Sequence, residues 1–229
     1  MKILALEFSS DRRSVAVLDG GRVRARAEQS GARTGGVLGL VESTLRQAGL
    51  EREQVDCLAV GLGPGSYTGI RTAIALAQGW QLALGTRTLG LSSLESLAAA
   101  AHLERIWGRV NLVVDAQRDE LYLAGYEIEA AGWREIEPLR LARIDEVRAR
   151  ANAGEPIVGP DAARWFSAGR VLFPEDELIG QLAAARSDFV PCQRLEPIYL
   201  RQTDFVKAPP PGGIPAQSKG HRQAGGLKP

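Results

Sequence analysis

Ser14-Val15-Ala16-Val17-Leu18-Asp19-Gly20-Gly21-Arg22-Val23-Arg24-Ala25-Arg26-Ala27-Glu28 is the stretch on which the fold turns. An apolar run of strand length ends at Asp19-Gly20-Gly21, a hairpin signal, because tight turns between strands use residues that tolerate positive φ. Val23, Ala25 and Ala27 then alternate with Arg22, Arg24, Arg26 and Glu28, the period-2 pattern of a half-exposed strand. Upstream, Ile3-Leu4-Ala5-Leu6 is a further apolar run of strand length. The first 30 residues therefore predict a three-stranded antiparallel meander.

The chain continues with a helix from Gly36 to Ala48, stopped by Gly49, and an apolar strand from Val55 to Gly61. A glycine-rich turn leads into a second helix, Gly69 to Leu84, ended by Gly85. Thr86–Leu91 reads as a strand, and Ser92-Ser93-Leu94-Glu95 as a capping box that opens a helix. The second half repeats the theme. Val110–Asp115, Leu121–Ile128 and Trp133–Leu141 read as strands, Ile144–Asn152 as a helix stopped by Gly154, and Pro156–Gly159 as a strand entering a helix at Pro160-Asp161. Pro174 opens a further helix through Ala185, and Pro197–Arg201 is a short extended segment. Two successive β-β-β-α-β-α orders predict an α/β fold of two lobes, each a mixed sheet with helices. That order is similar to the plan of the actin-like ATPase (ribonuclease H-like) superfamily. The expected division is an N-terminal lobe over 1–102, a C-terminal lobe over 103–206 and a disordered Gly/Pro/Lys tail over 207–229.

Composition narrows the function classes. The 229 residues are 45% hydrophobic, too apolar for a disordered chain, and no apolar run approaches the ~18 residues of a membrane span. Glu7 interrupts the opening apolar run, so no signal peptide is expected. A soluble, cytoplasmic protein with no membrane partner follows. Cys57 and Cys192 alone make neither a disulfide framework nor a zinc site. Lys207–Pro229 holds four bases and no acid, leaving 24 bases against 27 acids in the body. That balance argues against a large nucleic-acid footprint of the chain's own.

Several chemistries fail on spacing. The Gly61–Thr72 loop has no Lys for a P-loop, and Gly69 follows Gly65 at the wrong interval for a dinucleotide turn. Ser66 has Pro64 and Thr68 where a nucleophile elbow needs glycines. The histidines are His102 and His221, so a Ser-His-Asp peptidase site would rest on a helix-end residue. An actin-like ATPase grips phosphates with two hairpin turns. Here they read Glu7-Phe8-Ser9-Ser10-Asp11 and Asp115-Ala116-Gln117-Arg118-Asp119-Glu120. Neither contains glycine, and bulky charged residues crowd the second, so the expected state is a kinase-type scaffold whose nucleotide site has decayed. An active small-molecule kinase of the same superfamily is the alternative. The strongest local signal is Gly63 to Thr72. A tight turn with Thr68 as N-cap needs only one or two glycines, so the excess predicts close backbone contact with another surface or a ligand.

Gly63-Pro64-Gly65-Ser66-Tyr67-Thr68-Gly69-Ile70-Arg71 closely resembles the signature of the TsaB (YeaZ) family, bacterial accessory proteins of tRNA threonylcarbamoyladenosine biosynthesis. Ile3-Leu4-Ala5-Leu6-Glu7 with Ser9, the Asp115–Tyr122 hairpin and Glu196-Pro197-Ile198-Tyr199-Leu200-Arg201 match the family pattern in order, over about residues 1–206. Glu7-Phe8 stands where many relatives have Asp-Thr, and Arg33-Thr34-Gly35-Gly36 lacks the His often found there. The resemblance implies an actin-like fold without independent catalysis and no cofactor of its own. It implies a homodimer when alone, and dimerisation with a kinase-like transferase. That partner moves threonylcarbamoyl onto the adenosine beside the anticodon of tRNAs reading codons that begin with A. A small P-loop ATPase joins the complex, and tRNA is met through it. The two N-lobe helices are the implied interface, with Val37, Leu38, Val41, Leu45, Ile70, Arg71, Ile74 and Gln78 as candidate contacts. ATP or ADP at the complex interface would meet Ser66 and Thr68.

Overall fold

β1 (Lys2–Glu7) is buried from Ile3 to Glu7, as a strand covered on both faces must be. The fold is that of a computed structural model, which describes residues 1–31 and 36–200. β1 pairs antiparallel with β2 (Arg12–Asp19), and β2 antiparallel with β3 (Arg22–Ser30). The expected meander is present, with Gly20 and Gly21 at φ 57° and 79° in its turn. On its other side β1 pairs parallel with β4 (Cys57–Gly61), and β4 parallel with β5 (Arg87–Leu91), giving the order β3-β2-β1-β4-β5. Helices α1 (Val37–Ala48) and α2 (Tyr67–Leu84) make the crossovers that parallel neighbours require.

The second sheet repeats that order without the fifth strand. β6 (Gly108–Asp115), β7 (Glu120–Glu129) and β8 (Gly132–Arg143) form a meander, and β9 (Ile157–Val158) adds parallel to β6, giving β8-β7-β6-β9. α4 (Ile144–Asn152) precedes β9, and α5 (Ala162–Trp165) and α6 (Asp176–Ala184) follow it. Two mixed sheets with helices are the α/β architecture that the element order predicts. No helix among the described residues is long and apolar enough to cross a membrane.

The cores interleave in sequence. α3 (Ser93–Leu103) lies within the 1–102 segment, yet its Leu94, Leu97, Ala98 and Ala101 pack with Val110, Leu112 and Tyr126 of the second sheet. α6 lies within the 103–206 segment, yet its Ile179 and Ala183 pack with Ile3, Ala5 and Leu18 of the first. Cys192 and Leu195 also join the first core. Each half of the chain thus covers part of the other half's sheet.

Local chemistry moves several expected boundaries. α2 starts at Tyr67 with Ser66, not Thr68, as its N-cap, since Ser66 Oγ accepts the Gly69 N–H at 3.3 Å. Ser92 caps α3 through the Leu94 N–H, but Glu95 leaves the capping box to pair with Arg186. α6 begins at Asp176, two residues past Pro174. Ile198 donates to the Leu62 carbonyl at 2.9 Å without entering a sheet. Arg33–Gly35, Arg201 and the 207–229 tail lie outside the described residues.

Candidate functional site

The carboxyl ends of parallel strands are where open α/β sheets place ligand crevices, because loops diverge there. β1 and β4 of the first sheet and β6 and β9 of the second end on one cleft of about 780 Å³. One wall carries Ser9, Ser10, Asp11 and Gly65–Thr68. The other carries Asp115, Ala116, Gln117, Pro160 and Asp161, with Tyr199 between them.

The signature loop answers the question its glycines raise. Gly65, at φ 147°, lies against the Ser9 carbonyl, and Gly69 against the Phe8 carbonyl; a Cβ on either would run into that oxygen. The Ser66 N–H donates to the Ser9 carbonyl at 2.6 Å. The close backbone contact is therefore made by this chain's own β1 turn, rather than by another surface or a ligand. Glu7 lies beneath it, fully buried. Its Oε1 accepts the Ser9 N–H at 2.7 Å, and its Oε2 accepts the Ser93 hydroxyl at 2.8 Å. Ser93 Oγ in turn accepts the Gly63 N–H at 3.1 Å. Burial pushes the Glu7 carboxyl above its usual range despite these bonds.

The second hairpin turns through three successive non-glycine residues in the left-handed region, Gln117 (φ 64°), Arg118 (φ 57°) and Asp119 (φ 58°). Asp115 Oδ1 accepts the Gln117 N–H at 2.7 Å. Asp161 is pushed above its usual carboxylate range by burial first and by the Asp115 charge next, with Arg164 opposing.

These features test the nucleotide that the fold implies. The amides at Ser9 and Gln117, one in each turn, are given to the chain's own carboxylates. Asp11, Asp115 and Asp161 bring three carboxylates to the walls where phosphates would lie, against a single lining cation among the described residues, Arg13. The residues do not fit a nucleotide gripped by this chain alone. Ser66 and Thr68 do line the cleft, but Ser66 Oγ is used as the helix cap. No group of three or more His, Cys, Asp or Glu among the described residues is arranged to hold a metal. His102 sits between Trp107 and Trp133, with ring centroids 5.6 and 5.4 Å away, a packing role rather than a triad.

A second surface lies on α1 and α2. An apolar groove of about 380 Å³ is lined by Leu38 and Val41 of α1 and by Ala75, Leu76, Gly79, Trp80, Ala83 and Leu84 of α2. Glu42, Arg52 and Glu53 form its rim. Among the expected contacts, Leu38 is 64% exposed, and Arg71 and Gln78 are exposed. Arg71 lies over the Tyr67 ring, and Gln78 Nε2 reaches the Cys192 carbonyl at 3.5 Å. Val37, Val41, Leu45, Ile70 and Ile74 are all 6% exposed or less and pack in the first core, and of these Val41 also lines the groove. Sequence reasoning missed Ala75, Trp80, Ala83 and Leu84. Their signal is the absence of any charged residue from Thr72 to Leu84, on a helix with an exposed face.

Known proteins place this geometry. The chain is 31% identical over 219 residues to the tRNA threonylcarbamoyladenosine biosynthesis protein TsaB of Escherichia coli K12, covering 88% of this chain and 95% of that one. The chain belongs to the TsaB family. Haemophilus influenzae TsaB is 32% identical over 125 residues, 54% of this chain and 53% of the relative. The solved structure of YeaZ from Pseudomonas aeruginosa superposes with a TM-score of 0.73 at 30% identity, over 87% of this chain and 99% of that one. Residues 33–180 also match the family model described as TsaD, tRNA N6-adenosine threonylcarbamoyltransferase. This TsaB-family chain thus shares a framework with the transferases, and both groove helices fall within the matched residues.

Proposed function

We propose that this TsaB-family chain is a noncatalytic subunit that activates a kinase-like threonylcarbamoyltransferase by dimerising with it through α1 and α2. The product is N6-threonylcarbamoyladenosine beside the anticodon of tRNAs reading A-starting codons. The observation that carries the reading is the apolar groove across the two helices, edged by Glu42, Arg52 and Glu53, set against a cleft whose phosphate turns are closed by their own carboxylates. An unpartnered apolar groove with a charged rim is the anatomy of an interface. The match of residues 33–180 to the transferase family model supports a partner carrying the same helix pair. A small P-loop ATPase completes the assembly in the cytoplasm, tRNA is met through the complex, and the chain alone is a homodimer. ATP or ADP is held at the joint interface, with Ser66 and Thr68 as this chain's contacts; titration calorimetry finding no nucleotide beyond the transferase and ATPase sites would remove that part.

The deciding experiment is tRNA modification in a reconstituted mixture of transferase, ATPase and threonylcarbamoyl-adenylate synthase, read by mass spectrometry. Product that depends on this chain is the expected result. Full product without it overturns the subunit role, and Mg²⁺-dependent ATP turnover by the chain alone would then favour a small-molecule kinase.

A further inference from the structure

The cleft between the two sheets holds carboxylates that the fold leaves without a counter-ion. Asp11 stands on one wall and Asp115 and Asp161 on the other, with Arg13 as the lining base. Asp115 meets Arg164 at 3.5 Å, whereas no ion pair among the described residues reaches Asp11 or Asp161. Burial, and then the like charges of Asp115 and Asp11, hold the Asp161 carboxyl above its ordinary range. Ser9, 3% exposed, lines the same cleft, and its hydroxyl has no hydrogen-bond partner among the described residues. A buried hydroxyl without a partner and carboxylates without a counter-ion both call for a cation that donates hydrogen bonds. These carboxylates are not grouped to hold a metal ion. An alkylammonium supplies both charge and donors, and the rings of Tyr122 and Tyr199 in the cleft lining suit it further.

The sequence carries such a cation close by. The described residues end at Leu200, one position past Tyr199. Lys207 lies within about 25 Å of Leu200 even along a fully extended chain. Lys207–Pro229 holds four bases and no acid, and three of the chain's four lysines are among them. The remaining lysine is Lys2, because the rest of the chain draws its positive charge from arginine.

We infer that the basic segment Lys207–Pro229 is the occupant of this cleft, with a lysine ammonium seated between Asp11 and Asp161. The occupant is opposite in sign to the phosphates that the fold would otherwise place there, and it comes from the same chain. A tethered ammonium outcompetes a dilute free amine, since the tether keeps its effective concentration high. The inference is separate from the reading of α1 and α2 as the partner surface, and its test bears on the cleft alone.

The test is carboxyl footprinting of the full chain at low ionic strength. Carbodiimide activates the carboxylates, glycine ethyl ester labels them, and mass spectrometry reads each site. Wild type is compared with a variant carrying Lys207→Gln, Lys219→Gln, Arg222→Gln and Lys228→Gln. Neutralising the segment is expected to raise labelling of Asp11 and Asp161 about threefold or more, the protection that one exposed ion pair gives. The exposed Glu51 and Glu104, outside the cleft, are expected to label equally in both chains. Carbodiimide without the added amine is expected to join Lys207, Lys219 or Lys228 of the wild type to Asp11 or Asp161 within one chain. Equal labelling of Asp11 and Asp161 in the two chains overturns the inference, as do links spread over carboxylates outside the cleft. Protection that survives neutralisation of the segment and is lost on gel filtration into amine-free buffer gives the cleft to a free amine and overturns it. Links that form only between isotopically distinct chains give it to a second copy and overturn it as well.

Discussion

Tyr199 stacks on Tyr67 with ring centroids 5.3 Å apart and an interplanar angle of 20°, and its hydroxyl donates to the Tyr67 carbonyl at 3.3 Å. Two motifs separated by more than 130 residues thus meet, the signature loop and the late Glu-Pro-Ile-Tyr segment. Arg71 covers the Tyr67 ring at 4.8 Å. The stack ends a strap along the first sheet. The Val190 N–H donates to the Thr88 carbonyl at 3.0 Å, Cys192 N–H to Gln81 Oε1 at 2.8 Å, and Ile198 N–H to the Leu62 carbonyl at 2.9 Å.

Tyr199→Ala removes the stack and loosens the strap's last anchor. The expected loss is about 1–3 kcal/mol, most of it area and ring contact. Tyr199→Phe keeps the ring and loses one hydrogen bond, about 1 kcal/mol or less. Urea unfolding of both variants checks the order. Equal losses would mean that the hydroxyl, not the stack, holds the strap.

Gly65→Ala and Gly69→Ala each place a methyl against a backbone carbonyl of the β1 turn, which cannot give way as a side-chain tip does. Gly65 adds a φ of 147° that L side chains avoid. Both variants are expected to lose about 3 kcal/mol or more, or to fail to fold. The measurement is the denaturation midpoint beside that of Gly79→Ala, whose methyl meets open space. Three similar midpoints would contradict the close approach.

The meander was legible because its signals are local: Asp19-Gly20-Gly21 sets the turn, and alternation sets the exposed face of β3. The link from Glu7 to Ser93 was not, since the two residues are 86 positions apart and neither marks the other. The exchange of α3 and α6 between sheets escaped for a related reason. Periodicity says that a helix has an apolar face, not which sheet receives it. The division of α1 into core and exposed residues was not legible either: Val37, Leu38, Leu40, Val41 and Leu45 form one broad apolar band, and a helical wheel does not tell its buried side from its bare one. The family motifs marked the loop that builds the cleft floor, but the groove residues on α2 are small and carry no motif.

Glu137 offers a pH test. Its carboxylate takes two hydrogen bonds from Arg150, at 2.6 and 2.9 Å, and two from Arg140, at 3.0 and 2.9 Å. Arg150 first, and Arg140 next, pull its pKa down to about 2 from an ordinary value of 4.5. A depressed folded-state value means that the stabilisation is complete above pH 4.5 and fades as pH falls toward 2. Glu137→Gln is therefore expected to cost about 2 kcal/mol at pH 7, with the gap from wild type closing between pH 4.5 and 2. Urea titrations at several pH values give the two curves. Parallel curves over that window would show that the arginine cluster does not hold this carboxylate.

Leu45 and Leu38 lie on one helix and separate core from groove. Leu45 is 3% exposed and packs in the first core, so Leu45→Arg buries an unpaired charge and is expected to cost more than ~3 kcal/mol, enough to unfold a marginal domain. Leu38 is 64% exposed at the groove, so Leu38→Asp is expected to keep the wild-type circular dichroism and melting midpoint within ~0.5 kcal/mol while losing the transferase in a pull-down. The pairing makes the assignment testable in both directions. A folded Leu45→Arg chain that fails to bind would return Leu45 to the interface. A folded Leu38→Asp chain that binds normally would move the partner off this groove, because a partner seated there would desolvate a carboxylate set among Val41, Leu76 and Trp80.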